Sequence, residues 1–429
     1  MKRSVVNQLF AWKKDSNRKP LILNGARQVG KTYILQEFGR MAYENVAYVN
    51  LDHNKDAASI FEQDYDIRRI IRLLSALLNI HIEPERTLII FDEIQESPLV
   101  LNSLKYFCEK APEYHVVVAG SLLGISLHSG TSFPVGKVDI LRMYPMTFDE
   151  FLQAIGEDQL SVLLNNKEIN SINPLSEKLT DCLRQYYYVG GMPAVVREYI
   201  SSGNLQKVRE IQQDILFGYR RDFSKHAPSN QIPRINLVWD SIPSQLAKEN
   251  KKFIYGALKK GGRAVEFELV IQWLIDAGLV YRVCRASSPS MPLKFYEDIS
   301  AFKLFMLDVG LMGAMTGTES ADVLLNNRIF EEYKGAFAEL YAFTQLITHG
   351  IPIFYYSSND SRVEIDFLLQ FKNQVVPIEV KAEENVRSKS LRTYIEKYPS
   401  LHGLRLSMLP YREQEWMTNI PLYAPQCWL

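Results

Sequence analysis

Residues 25–32, GARQVGKT, match the phosphate-loop pattern GxxxxGK[ST] without a gap. Its glycines let several backbone N–H groups face one anion, and the start of the following helix adds the positive end of its dipole. Lys31 supplies a mobile charge for the β- and γ-phosphates, and Thr32 supplies a hydroxyl for Mg²⁺. The predicted nucleotide-binding residues are Gly25, Ala26, Arg27, Gln28, Val29, Gly30, Lys31 and Thr32.

Two acidic residues follow the apolar run of residues 88–91, LIIF. A buried strand of this kind delivers Asp92 to the carboxyl edge of a parallel sheet, where ligands bind in such folds. Asp92 is therefore predicted to hold Mg²⁺ together with Thr32. The adjacent Glu93 is predicted to orient or deprotonate the water that attacks ATP.

A serine closes the next apolar run, residues 115–120. In many ATPases with these motifs, a polar side chain at this place faces the γ-phosphate, which makes Ser121 a candidate for that contact. A helix N-cap serine explains the position almost as well. The predicted catalytic side chains are Glu93, Lys31 and Ser121.

A second group of charged residues lies near the end of the sequence, with Glu339 on a predicted helix and Asp366 on a predicted strand. Glu379 and Lys381 share one face of the next strand, because side chains alternate along a strand. Such carboxylates can hold Mg²⁺ or Mn²⁺ for attack on a phosphodiester, and the lysine can stabilise charge. This candidate nuclease site is an alternative to charged residues on a solvated strand.

A basic stretch precedes the predicted hairpin of the middle region. Cations of this kind are candidates for contact with DNA phosphates, although a solvated surface explains such clusters more often. Its members are Lys248, Lys251, Lys252, Lys259, Lys260 and Arg263.

Apolar runs of strand length alternate with helical patterns in the first 160 residues. Strands buried on both faces are typical of a parallel sheet covered by helices, so an α/β fold is predicted. A capping-box pattern in residues 147–150 predicts that another helix starts after the last strand. The predicted strands are residues 20–25, 45–52, 87–93, 115–121 and 137–146.

Helical patterns dominate residues 161–320 and end in a helix that runs into a β-hairpin, which resembles a winged helix. The second strand of that hairpin is predicted at residues 288–299. From about residue 321 the pattern is α/β again, with a helix at 333–350. Three strands are predicted after it, at residues 352–358, 362–370 and 375–382.

The motifs GARQVGKT, FDEIQ, AGSLLG and YPMTFDEF together resemble an AAA-type P-loop ATPase family of bacteria and archaea whose role is mostly unassigned. The resemblance continues through YYYVGGMPAVV and FKLFMLDVGLMGAM and covers nearly the whole chain. It implies an AAA-like ATPase core at 1–160, a helical lid and winged-helix-like region at 161–320, and a nuclease-like domain at 321–429. The pattern of Glu339, Asp366 and Glu379-Val-Lys381 resembles the restriction-endonuclease-like, or PD-(D/E)XK, nucleases.

This chain departs from the family pattern at one charged position. A Gly-Arg pair often precedes the strand that ends in YPM, whereas this chain has Gly136-Lys137. Lysine supplies charge without the bidentate fork of an arginine finger. The candidates that remain for such a finger are Arg142, Arg220 and Arg221.

Composition narrows the classes of protein and partner. Lys+Arg and Asp+Glu both number 49, so the net charge of zero excludes a chain-wide field for nucleic acid but not a local basic patch. The four cysteines form no CxxC pair, which disfavours a zinc ribbon and fits a reducing compartment. No apolar run approaches the roughly 18 residues of a membrane span, so a cytoplasmic location is expected.

Two classes of function follow from these features. The first is a Mg²⁺-dependent ATPase that drives or gates a nucleic-acid-binding or nuclease-like module. The second is a slow nucleotide-gated switch that binds a protein or DNA partner and carries an inactive nuclease fold. ATP is the expected ligand in both, and DNA and a second copy of the chain are candidate partners.

Overall fold

Apolar runs near the N-terminus form the strands of a parallel sheet. The computed structural model of the 429-residue chain describes residues 1–120, 133–248, 251–324, 328–358, 362–382 and 388–425. It divides into two units. The N-terminal unit comprises Lys2–Tyr144 and Asp276–Gly278, and the C-terminal unit comprises Met1, Pro145–Ile275 and Leu279–Leu429.

The sheet of the N-terminal unit has the strand order β2-β3-β4-β1-β5, and every neighbouring pair is parallel. Strands β3 and β4 are buried along their whole length, as expected of a sheet covered by helices. The predicted parallel sheet is therefore confirmed. Its strands are β1 Leu21–Asn24, β2 Asn45–Asn50, β3 Thr87–Asp92, β4 His115–Gly120 and β5 Asp139–Arg142.

Amphipathic helices flank this sheet. In α4 the residues Ile67, Ile70, Ile71 and Leu74 recur at helical spacing and are buried in the core. Helix α5 begins with Pro98 after the N-cap Ser97, whose side chain accepts the N–H of Val100. The helices are α1 Val5–Lys14, α2 Lys31–Ala42, α3 Lys55–Ser59, α4 Ile67–Leu78 and α5 Pro98–Lys110, with a 3₁₀ turn at Ile94–Glu96.

The C-terminal unit opens with helices. Thr147 and Glu150 form the predicted capping box, in which each side chain accepts the other residue's N–H, and this starts α6. The helices are α6 Phe148–Ala154, α7 Asp158–Asn165, α8 Ile169–Ile172, α9 Ser176–Val189, α10 Pro193–Ser202, α11 Leu205–His226, α12 Ile232–Leu246, α13 Ala264–Asp276, α14 Val309–Thr316, α15 Ser320–Leu324, α16 Arg328–Leu346 and α17 Lys389–Lys397. Shorter 3₁₀ turns lie at Asn173–Leu175, Tyr255–Ala257, Leu293–Tyr296 and Ile347–His349.

A mixed sheet of eight strands completes this unit, in the order β12-β13-β11-β10-β9-β8-β6-β7. Strand β6 runs antiparallel to β7 and parallel to β8, so the hairpin of the middle region and the C-terminal strands share one sheet. The strands are β6 Val280–Ala286, β7 Glu297–Met306, β8 Ile353–Ser357, β9 Glu364–Phe371, β10 Gln374–Val380, β11 Gly403–Ser407, β12 Arg412–Glu413 and β13 Met417–Pro421.

The second hairpin strand lies later in the sequence than predicted. Strand β7 begins at Glu297, and most of the predicted span, residues 288–299, forms a loop and a 3₁₀ turn. Pro289 and Pro292 lack the N–H that a strand donates to its neighbours, which explains the wrong assignment. The division of the chain at residues 160 and 320 stays a prediction.

Three sequence motifs of the C-terminal unit interlock through Gly191. Its carbonyl accepts the N–H of Met146 at 2.7 Å, and its own N–H donates to Oδ2 of Asp308 at 2.6 Å. Oδ1 of Asp308 accepts the N–H of Leu311 at 2.9 Å and caps α14. Burial raises the pKa of Asp308 to about 6, against the lowering effect of these backbone donors.

A membrane-spanning helix needs a long and predominantly apolar run of residues. Within the described ranges, no helix combines the length and apolar character needed to cross a bilayer.

Candidate nucleotide-binding site and acidic cluster

The phosphate loop connects β1 to α2, and its two glycines are required by the backbone. A Cβ on Gly25 would lie 2.2 Å from the carbonyl oxygen of Met143, so a larger residue does not fit. Gly30 has φ of 95° and is the N-cap of α2, a conformation that glycine adopts without the strain of a side chain. Between them, Ala26 and Val29 are buried, whereas Arg27 and Gln28 are exposed.

Lys31 lies folded over the loop that precedes it. Its Nζ donates hydrogen bonds to the carbonyl oxygens of Gly25 and Ala26, both at 2.8 Å. Burial lowers the pKa of Lys31 to about 8, although the charges of Glu93 and Asp92 oppose this shift. The phosphates of a nucleotide would supply further anionic partners for this buried amine.

The first turn of α2 and the last residue of β3 meet beside the loop. The hydroxyl of Thr32 donates to Oδ2 of Asp92 at 2.7 Å, and the hydroxyl of Tyr48 donates to the same oxygen at 2.9 Å. Asp92 is only 4% exposed. A hydroxyl and a carboxylate are the oxygen donors that Mg²⁺ accepts when substrate phosphates and water complete its shell, so these residues fit the ion.

Glu93 follows Asp92 in an unusual backbone conformation. Its φ of 52° lies in the left-handed region, and its N–H donates to Oδ1 of Asp92 at 3.0 Å. Oε2 of Glu93 accepts a 2.6 Å hydrogen bond from Nε2 of Gln95. The other amide atom, Oε1 of Gln95, is buried and has no hydrogen-bond partner among the described residues. The predicted base is therefore held by a side chain two positions later.

The sequence did not point to Arg3, which holds the loop from the N-terminal end. Arg3 is 8% exposed, and its guanidinium donates to the carbonyl oxygen of Val29 at 3.0 Å and to that of Tyr144 at 2.6 Å. It thereby joins the phosphate loop to the segment after β5. A lone arginine near a terminus carries no sequence signal for this role.

Other predicted residues lie away from these contacts or outside the described residues. Ser121 lies outside the described residues. The side chain of Lys137, which replaces the family arginine, forms an ion pair with Glu109 at 2.9 Å. Arg220, in the C-terminal unit, forms an ion pair with Asp240 at 2.5 Å.

Seven charged residues of the C-terminal unit lie together and form what we call the acidic cluster. They are Glu339, Glu364, Asp366 and Glu379 with Lys251, Lys303 and Lys381. Nζ of Lys303 lies 2.9 Å from Oε1 of Glu339, 2.6 Å from Oε1 of Glu364 and 3.9 Å from Oδ1 of Asp366.

Lys251 approaches the same acids from a second direction. It forms an ion pair with Oε2 of Glu339, and its Nζ lies 3.8 Å from Oδ1 of Asp366. The predicted role of Lys251 in a basic surface for DNA is therefore wrong, because this side chain is turned into the acidic cluster. The sequence did not single out Lys303 or Glu364 at all.

The two remaining predicted residues lie at the end of β10. Nζ of Lys381 is 3.2 Å from Oε1 of Glu379, and the N–H of Val380 donates to Oδ2 of Asp366 at 2.8 Å. The structure thus brings Asp366 next to the strand that carries Glu379. Burial raises the pKa of Glu379, whereas Lys251 and Lys303 hold that of Asp366 below its ordinary value despite its burial.

Residues 17–152 match a family model described as an AAA domain. The five-stranded parallel sheet of the N-terminal unit, flanked by helices, fits an AAA-like α/β fold. This match supports ATP binding and hydrolysis in general. Two further models, each described as a domain of unknown function, match residues 180–322 (DUF8612) and 334–424 (DUF4143).

Solved structures similar to this chain include three archaeal proteins. The Walker-type ATPase PABY2304 of Pyrococcus abyssi is 13% identical, with a TM-score of 0.47 over 73% of this chain and 95% of that one. The Orc1 protein of Aeropyrum pernix, in complex with DNA, is 16% identical, with a TM-score of 0.30 over 74% and 93%. Cdc6p from Pyrobaculum aerophilum is 13% identical, with a TM-score of 0.25 over 75% and 93%. No curated protein matches the chain.

Proposed function

We propose that the protein is a Mg²⁺-dependent ATPase whose nucleotide state controls a nucleic-acid-binding or nuclease-like module in the C-terminal unit. The observation that supports ATP hydrolysis most directly is the meeting of Thr32 and Asp92 beside the phosphate loop. The amine of Lys31 lies on that loop, where it can exchange carbonyl oxygens for phosphate oxygens.

In the proposed reaction, Lys31 binds the β- and γ-phosphate oxygens of ATP. Thr32 and Asp92 would hold Mg²⁺, which neutralises the charge that develops during phosphoryl transfer. Glu93 orients the attacking water and accepts its proton as the new bond to phosphorus forms, and ADP leaves. A further cation would complete the charge stabilisation. Lys137 pairs with Glu109 instead, and Arg142, Arg220 and Arg221 remain the candidates.

Exposed cations before α13 support contact with nucleic acid. Lys259, Lys260 and Arg263 are all exposed, and the Lys259 side chain lies 3.7 Å from Glu266. Cations of this kind neutralise backbone phosphates and release counterions, so the binding would weaken as salt rises. A short DNA duplex is the probe that tests this part of the proposal.

The central experiment measures steady-state ATP hydrolysis with and without that duplex. We expect Mg²⁺-dependent turnover that DNA changes and that Lys31→Ala abolishes together with nucleotide affinity. Unchanged affinity and turnover in Lys31→Ala would refute the nucleotide site. Fluorescence anisotropy of the duplex with a Lys259→Ala/Lys260→Ala variant should show weaker binding with a shallower salt dependence. Lys178→Ala, which removes a surface lysine paired with Glu157, serves as the matched control.

The second candidate function, a slow nucleotide-gated switch with an inactive nuclease fold, is favoured by one specific contact. Gln95 holds Oε2 of Glu93 at 2.6 Å, which restrains the group that would activate water. If the switch is correct, Gln95→Leu should raise turnover because it frees Glu93. A fall in turnover would instead indicate that Gln95 helps to position the water for a working ATPase. Plasmid incubated with Mg²⁺ or Mn²⁺ tests cleavage directly.

A further inference from the structure

A buried lysine occupies the centre of the acidic cluster. The Lys303 side chain is fully buried. Its Nζ lies 2.6, 2.9 and 3.9 Å from one carboxylate oxygen of each of three acids, Glu364, Glu339 and Asp366. Those acids come from α16 and β9, whereas Lys303 comes from β7. The ammonium group therefore sits where acids from separate elements converge, which is the position that a divalent cation would take.

We infer that Lys303 is the built-in cation of this cluster and that the cluster takes no divalent metal ion in the native protein. The inference deepens the proposed function, because it takes from that proposal the role of the C-terminal unit as the controlled module. It assigns the candidate nuclease site an internal ammonium group in place of Mg²⁺ or Mn²⁺.

The pairing of opposite charges supports this assignment. Two ammonium groups, Lys303 and Lys251, face the carboxylates of Glu339, Glu364 and Asp366. Buried ions are tolerated when they are paired in this way and become costly when one partner is removed. Burial lowers the pKa of Lys303, but the surrounding carboxylates raise it by more than burial lowers it. The net shift of the pKa is therefore upward, and the group stays charged at neutral pH.

Geometry excludes a metal ion and the ammonium group from the same place. Mg²⁺ needs oxygen ligands at about 2.0–2.1 Å in near-octahedral arrangement, and Nζ already occupies the space between the acids. Oδ2 of Asp366 is also engaged by the N–H of Val380. Within the described ranges, no group of three His, Cys, Asp or Glu residues is arranged to hold a metal ion. The donor set therefore does not fit the second metal that the sequence suggested.

The same ion pairs connect distant parts of the C-terminal unit. Lys251 precedes the 3₁₀ turn at Tyr255–Ala257, and Lys303 lies in β7, while the acids belong to the later α16 and β9. Loss of Lys303 should consequently leave three carboxylates close together with only Lys251 to neutralise them. Like-charge repulsion then favours binding of an external cation.

The test titrates the full-length protein with Mn²⁺ in the absence of nucleotide and follows free Mn²⁺ by electron paramagnetic resonance. All variants carry Asp92→Asn so that the nucleotide site does not contribute. We expect Lys303→Met to gain a Mn²⁺ site that the additional Glu339→Gln substitution removes. Lys178→Met, which removes an exposed lysine paired with the single acid Glu157, should gain none.

Two results would overturn the inference. The first is Mn²⁺ binding in the Asp92→Asn protein that disappears when Glu339→Gln is added, because native Lys303 would then coexist with a metal. The second is a folded Lys303→Met variant that gains no site. If Lys303→Met fails to fold, the first comparison still decides the question. Because no nucleotide is present, failure of the proposed ATPase would leave these results unaffected.

Discussion

The hydroxyl of Thr32 donates a 2.7 Å hydrogen bond to Oδ2 of Asp92, although the two residues lie 60 positions apart. Thr32 is in the first turn of α2, and Asp92 is the last residue of β3. Both belong to the edge of the parallel sheet where ligands bind in α/β folds. The two proposed Mg²⁺ ligands are therefore already paired before nucleotide and metal arrive.

Removal of the Thr32 hydroxyl should weaken use of Mg²⁺. A hydrogen bond to a charged group contributes about 1.5–3 kcal/mol, so we expect Thr32→Val to lower kcat/KM for MgATP roughly 10- to 100-fold. Thr32→Ser keeps the hydroxyl and should retain most of the activity. The measurement is steady-state hydrolysis across a Mg²⁺ titration. Wild-type kinetics in Thr32→Val would exclude this residue as a ligand.

Glu93 and its neighbour Glu96 provide a matched test of the proposed base. We expect Glu93→Gln to bind ATP with Mg²⁺ normally but to hydrolyse it roughly 10²- to 10⁴-fold more slowly, which is the usual contribution of a general base. Glu96→Gln changes an exposed carboxylate of the same 3₁₀ turn and should have no such effect. Single-turnover rates, measured together with nucleotide affinity, separate hydrolysis from binding. Equal turnover in the two variants would show that Glu93 is not the base.

The lowered pKa of Lys31, about 8, implies a pH-dependent affinity for ATP. The free protein loses this proton as pH rises through about 8, whereas bound phosphates favour the charged form. Affinity should therefore fall above pH 8, by up to about tenfold per pH unit, with proton uptake on binding. Calorimetry between pH 7 and pH 9.5, in buffers of different ionisation enthalpy, measures both quantities. Lys31→Arg stays charged over this range and should lack the effect. An affinity that is flat with pH in the wild type would contradict the expectation.

Arg3 should matter for stability and for nucleotide affinity, because it joins the carbonyl groups of Val29 and Tyr144. We expect Arg3→Met to lower the free energy of unfolding by roughly 1–3 kcal/mol and to raise KM for ATP. Arg40→Met breaks only an exposed pair with Glu37 and should change stability by less than about 1 kcal/mol. Urea unfolding and steady-state kinetics provide the two measurements. An unchanged KM in Arg3→Met would mean that the loop keeps its conformation without this contact.

Asp308 predicts an unusual pH dependence of stability. Its pKa of about 6 in the folded protein exceeds the unfolded value of about 3.9, so the folded state holds the proton more tightly. Its contribution to the free energy of unfolding should therefore decrease by roughly 3 kcal/mol as pH rises from about 4 to above 6.

Urea unfolding at several pH values compares the wild type with Asp308→Asn, which cannot titrate. The stability advantage of the wild type should be larger at pH 4 than at pH 7. The exposed Asp181→Asn serves as the control, and a constant difference between wild type and Asp308→Asn would contradict the assignment.

Local patterns in the sequence were sufficient for several elements of the fold. Strands β3 and β4 were predictable because strands buried on both faces are continuous apolar runs. The start of α6 was predictable because Thr147 and Glu150 lie within one helical turn. The second hairpin strand was misplaced at residues 288–299, because the true strand β7 starts after two prolines and gains its position by pairing with β6.

The acidic cluster could be predicted only in part from the sequence. The spacing of Glu339, Asp366 and Glu379 suggested a shared pocket and a metal ion. Lys303 carries no local signal, because it lies 36 residues before Glu339 in a strand that the sequence did not assign to the C-terminal sheet. Its chemistry depends on the pairing of β6 with β8, which brings the two parts of the unit into one sheet.

The sequence by itself determined the phosphate loop, the acidic residues at the end of β3 and the parallel sheet that carries both. Each is encoded by neighbouring residues, whose backbone conformation and burial follow from local periodicity. Tertiary structure alone decided that Arg3 holds the loop, that Gly191 joins Met146 to Asp308, and that ammonium groups neutralise the acidic cluster. These contacts join residues far apart in the chain. Their energies come from burial, hydrogen bonding and charge pairing across elements, which spacing along the sequence does not encode.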